Sequence, residues 1–88
     1  MSRKEKLLKR LLSLPKDFTY NELKLLLVSF NYIEYTLGKT SGSRVAFYNK
    51  SNNHIIRLHK PHPSNILKRY QINLIIEELN KNGLLNER

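Results

Sequence analysis

The sequence predicts an α+β fold in the order α-α-β-β-β-α, a three-stranded antiparallel sheet with helices on one face. Three observations lead there. Apolar residues recur at helical spacing in two segments near the N-terminus and one near the C-terminus. Between Tyr32 and His59 the period changes to two, as in half-buried strands. Breaks rich in Gly, Ser and Asn divide that stretch into three short runs, which suits a meander and leaves no room for parallel crossovers. With 88 residues, the chain builds one modest core, so residues 1–88 are expected to form a single domain.

The first helix is expected over residues 4–14, where Leu7, Leu8, Leu11, Leu12 and Leu14 oppose a face of Lys and Arg, and Pro15 stops it. Thr19 followed by Glu22 reads as a capping box that opens a second helix, with Leu23, Leu26, Leu27 and Phe30 as its buried stripe. In the first strand Ile33, Tyr35 and Leu37 form one alternating set against Glu34 and Thr36. After the Gly38 to Gly42 break, Val45 and Phe47 alternate with Arg44, Ala46 and Tyr48. Beyond NKSNN, Ile56 and Leu58 alternate with Ile55, Arg57 and His59. The last helix covers about residues 69–81, burying Ile72, Ile75, Ile76 and Leu79, and Gly83 supplies a left-handed cap.

Sixteen Lys and Arg stand against seven Asp and Glu, a net charge of +9 and a pI of about 10.1. That balance points to a polyanion, with nucleic acid the leading partner; a membrane surface or an acidic protein shares the same bulk attraction. The absence of cysteine excludes disulfides, thiolate metal sites and a Cys nucleophile. The longest apolar run, Leu25 to Val28, is far short of a membrane span. The leucines of MSRKEKLLKRLL are interrupted by charges, unlike a signal peptide, so a cytoplasmic protein is expected.

With helices on one side of the sheet, function is sought on the other. If Lys50 opposes Asn53 across the turn, Phe47 meets Ile56 and Val45 meets Leu58, both pairs inward; a slip by one residue would turn one set outward. The same register sets Arg44 opposite His59 and Ala46 opposite Arg57 on the open face. Directly opposed side chains have Cβ atoms about 4.5 to 5.5 Å apart. A guanidinium disfavours a second positive charge beside it, which favours His59 as a base, while Arg44 offers a planar fork of donors to a phosphate. RNA brings its own nucleophile in the 2′-hydroxyl, so a base beside a phosphate clamp suffices for cleavage. His62, held between Pro61 and Pro63, is a candidate general acid. The candidate catalytic set is therefore His59, His62 and Arg44. The candidate RNA-binding set is Ser43, Arg44, Tyr48, Arg57, Lys60 and Lys68, with Tyr48 able to stack a base. His54, His59 and His62 have no Asp, Glu or Cys close in sequence to complete a metal site, and no cofactor is expected.

Gly42, Ser43 and Phe47, then Leu58, Pro61 and His62, then the closing Asn82-Gly83-Leu84, occur in an order and spacing that resembles the HicA toxin family. The similarity covers roughly residues 20 to 85. It implies a double-stranded-RNA-binding-domain-like fold, a core over residues 19–83 with the helix at 4–14 added to it, metal-independent cleavage of mRNA, and neutralisation by a HicB-like antitoxin protein. Arg44 stands where the family motif has its catalytic histidine, and arginine is no base at neutral pH. Two readings stay open: His59 or His62 moves the proton, making the chain a type II toxin with endoribonuclease activity, or the domain binds RNA without cleaving it. A winged-helix reading of the second helix and hairpin would place duplex DNA on the strands, but a third full strand and a long closing helix argue against it.

Overall fold

The computed structural model describes residues 2–36, 44–61 and 64–85. Helix α1 runs over Arg3–Leu12 and opens on a capping box: Ser2 Oγ accepts from the Glu5 N–H at 3.2 Å, and Glu5 Oε1 accepts from the Ser2 N–H at 3.3 Å. It ends two residues before the expected Leu14, which adopts a left-handed φ of 55° just before Pro15. Helix α2, Tyr20–Ser29, has the expected box between Thr19 and Glu22 and buries Leu23, Leu26, Leu27 and the capping Phe30. Helix α3, Arg69–Lys81, closes as a Schellman motif, with the Gly83 N–H donating to the Asn80 carbonyl and the Leu84 N–H to the Leu79 carbonyl, both at 3.0 Å. Gly83 takes the positive φ of 77° that this closure requires.

Strands β1 (Tyr32–Thr36), β2 (Arg44–Asn49) and β3 (His54–His59) form one antiparallel sheet in sequence order. The β2–β3 register is the expected one, with Arg44 opposite His59, Val45 opposite Leu58, Ala46 opposite Arg57 and Phe47 opposite Ile56. The turn is closed by asparagines: Asn49 Oδ1 accepts from the Ser51 N–H, Asn52 Oδ1 accepts from the His54 N–H, and Asn53 has a left-handed φ of 58°.

The alternation along β1 is resolved with Ile33 and Tyr35 away from the core. Tyr32 is 1% exposed and takes the inward position, so Glu34 follows it to the helix side, and Ile33 and Tyr35 point to the open side. Two features make this orientation favourable. Tyr32 adds a large buried ring to the core. Glu34 receives the Tyr20 hydroxyl and an ion pair from Lys24 at 3.1 Å. Burial by itself would raise the Glu34 carboxyl, but these donors outweigh it and hold the group below its usual range.

The core joins Leu23, Leu26 and Leu27 of α2, Val45, Phe47 and Ile56 of the sheet, and Ile72, Ile75 and Leu79 of α3, with Leu11 of α1 fully enclosed beside them. Leu11 makes α1 part of the packed interior. Among the described residues, no helix is long and apolar enough to cross a membrane.

Candidate nucleic-acid interface

Alternation along three paired strands builds the open face in rows. Arg44 and His59 form one row, Tyr35, Ala46 and Arg57 the next, and Ile33, Tyr48 and Ile55 the third. Arg44, Arg57 and His59 are exposed, whereas Ala46 is closed off between its longer neighbours. A concavity of about 360 Å³ at the Arg44–His59 end of β2 and β3 is lined by Arg44, Val45, Arg57, Leu58 and His59. Arg44, Arg57 and His59 thus share the lining of one hollow of a size that accepts a phosphate and its sugar. Arginine forks can hold a phosphate through paired donors, and an imidazole beside them can exchange a proton with a ribose hydroxyl.

The end of β3 is fixed from behind. Gln71 is 3% exposed, and its Nε2 donates to the His59 carbonyl at 2.8 Å while its Oε1 accepts from the Lys68 N–H at 2.9 Å. Beyond His59, Pro61 is buried, and the chain returns beside the start of α2 through a Thr19–Ile66 bridge flanked by hydrogen bonds from Tyr20 to Asn65 and from Leu67 to Phe18. Sequence reasoning overlooked Gln71; its signal is a polar residue in the apolar register of α3, one position before Ile72.

No family model, curated protein or solved structure matches this chain. The site therefore rests on its own geometry.

The other sequence-derived candidates distribute as follows. Tyr48 lies on the open face with its hydroxyl donating to Asn53 Oδ1 at 2.7 Å. Lys60 turns to the helix side, its Nζ 5.5 Å from the centre of the Tyr20 ring. Lys68 is exposed as the N-cap of α3. Ser43, His62 and the Gly38 to Gly42 turn lie outside the described residues.

His54 and His59 belong to opposite faces. His54 Nδ1 lies 2.6 Å from the Tyr32 hydroxyl and its Nε2 2.9 Å from Glu78 Oε1, and Asn82 donates to the same hydroxyl at 3.3 Å. That chain joins β1, β3 and the end of α3. Among the described residues, no group of three or more His, Cys, Asp or Glu is arranged to hold a metal ion.

The α1 cations also divide. The Arg10 guanidinium bonds both Glu22 carboxylate oxygens, and Asp17 through its side chain and its carbonyl, all at 3.1 Å. Lys4 lies over the Phe30 ring at 4.4 Å. Arg10 is thus a clamp between α1 and α2.

Proposed function

We propose that this protein is a HicA-like toxin component that binds RNA on the open face of its sheet and cleaves it at the Arg44–His59 pair. The observation that carries this reading is the direct cross-strand opposition of Arg44 and His59, both exposed, with Arg57 in the neighbouring row. Support from the sequence comes from the ordered motifs through Gly42, Ser43, Phe47, Leu58, Pro61 and His62, and from the net charge of +9. On this reading the partners are mRNA and a HicB-like antitoxin, and the setting is the cytoplasm.

The chemistry follows from the groups present. His59 takes the proton of a ribose 2′-hydroxyl, the freed oxygen attacks the adjacent phosphorus, and the bond from phosphorus to the 5′ oxygen breaks. The leaving oxygen takes a proton from solvent, giving a 2′,3′-cyclic phosphate and a 5′-hydroxyl. Arg44 and Arg57 hold the phosphoryl oxygens as charge builds on them.

Incubation of the purified protein with mRNA in EDTA tests the proposal. Fragments ending in cyclic phosphate are expected from the wild type, with loss in His59→Ala and slowing in Arg44→Ala. Cleavage unaffected by both substitutions would remove the site. A second reading, a noncatalytic RNA-binding module on the same fold, is favoured by Arg44 standing at the motif position of a histidine; it gives salt-sensitive binding with intact RNA recovered.

A further inference from the structure

The turn of Ile33 and Tyr35 to the outside gives the open face an apolar half. Ile33, Tyr35 and Ile55 are 42%, 45% and 39% exposed, and they surround Tyr48. The Tyr35 and Tyr48 rings are diagonal neighbours on adjacent strands, with centroids 6.5 Å apart and planes inclined at 57°. The Tyr48 hydroxyl is tied to Asn53, which fixes the direction of its ring. Among the described residues, the helices pack on the other face of the sheet, so both rings remain presented beside Arg44 and Arg57. Side chains of the same face recur every two residues along a strand, which sets the Tyr48 row about 13 Å from the Arg44–His59 row.

We infer that this face takes single-stranded RNA, with successive bases on the Tyr35 and Tyr48 rings and the backbone phosphate at Arg44, Arg57 and His59. Charge complementarity decides the occupant. Tyrosine beside arginine is common at protein interfaces too, so the deciding quantity is the overall charge: the two arginines adjoin the rings within a chain of net charge +9, which attracts a polyanion. A polyanion whose bases have open π-faces fits both halves at once. A duplex fits only one, because its bases are stacked on each other and present edges, 2′-hydroxyls and phosphates but no open π-face. The inference rests on the RNA-binding reading above and adds to it the strandedness of the ligand and the part of the surface that grips the bases.

The test uses a fluorescein-labelled 2′-O-methyl strand of about twelve nucleotides, uncleavable by the proposed chemistry, alone and annealed to its complement. Anisotropy titrations compare the wild type with Tyr35→Phe, which keeps the ring, and Tyr35→Leu, which keeps apolar bulk without it. Circular dichroism melts of each variant establish that the fold is retained. The wild type and the Phe variant are expected to prefer the single strand, and the Leu variant to lose roughly 5- to 150-fold in affinity for it while its duplex affinity changes less than about twofold. The chain has five tyrosines and no tryptophan, so quenching of tyrosine emission by the unlabelled strand reports stacking without substitution. Single-strand affinity retained by the Leu variant, without quenching in the wild type, would overturn the stacking inference and leave RNA binding standing. Self-association of the wild type that the Leu variant abolishes would overturn it in favour of a second protein copy on this face. Failure of the wild type to bind either nucleic acid at low salt would remove the RNA reading itself.

Discussion

Gln71 Nε2 donates to the main-chain carbonyl of His59 at 2.8 Å, joining the first turn of α3 to the last residue of β3. The same side chain satisfies the Lys68 N–H at the helix start, so one amide serves two backbone groups. Gln71→Glu retains the acceptor and loses the donor at neutral pH. It is expected to cost about 1 to 3 kcal/mol, which lowers the melting temperature by about 4 to 8 °C per kcal/mol in a domain of this size. Melts at pH 7 and near pH 4 check this, because protonation of the new carboxyl restores a donor and narrows the gap to wild type.

The two described histidines are expected to separate by phenotype. His54→Ala breaks the chain from Asn82 through Tyr32 to Glu78 and should lower thermal stability by about 1 to 3 kcal/mol while leaving RNA affinity near wild type. His59→Ala should lower RNA affinity, since its exposed side chain belongs to the open face. Paired melts and RNA titrations on both variants decide it; a loss of stability without loss of function in His59→Ala would count against the site.

Acid should weaken the fold through Glu22 and Glu34. Hydrogen bonding from Arg10 lowers the Glu22 carboxyl most, and the Tyr20 and Lys24 donors outweigh burial at Glu34. Both folded-state values lie below the unfolded 4.5, so the unfolded chain binds more protons as pH falls. The stabilisation is therefore present above about pH 4.5 and is lost as pH drops through the folded values. Glu22→Gln should show a shallower acid limb in melts between pH 3 and 6, roughly by the protons that group no longer takes up. At the alkaline end, burial and then the Glu34 bond raise the Tyr20 phenol, so its contribution is complete below pH 10 and declines as pH rises towards the folded value; Tyr20→Phe removes that decline.

Much of this architecture was legible in the sequence because its signals were periodic. The Thr19–Glu22 box, the α2 stripe, the Gly83 cap and the β2–β3 register each follow from a repeating spacing or from a turn that only one register satisfies. The face of β1 was harder to read because two tyrosines of opposite parity, Tyr32 and Tyr35, compete for the interior, and alternation cannot say which wins. Tyr32 wins because Asn82 and His54 complete its hydroxyl from α3 and β3. Asn49 shows the same limitation: its Nδ2 donates to the Phe30 carbonyl at 3.0 Å, a tertiary bond that hydropathy does not register. For the open face, the Arg44–His59 pair was legible from register, whereas the Tyr35–Tyr48 pair required the parity of β1.

Salt dependence should distinguish cations that meet phosphate from those already engaged. Each phosphate contact to a single strand contributes about 0.7 to the slope of log affinity against log salt, so Arg44→Ala and Arg57→Ala are each expected to weaken RNA binding and to flatten that slope by about 0.7. Arg10 makes four hydrogen bonds to Asp17 and Glu22, so its guanidinium is spoken for within the fold. Arg10→Ala should lower stability while leaving the slope unchanged, although it removes the same formal charge. If all three variants flatten the slope equally, RNA senses only the net charge of +9, and the open face has no special claim on the phosphate backbone.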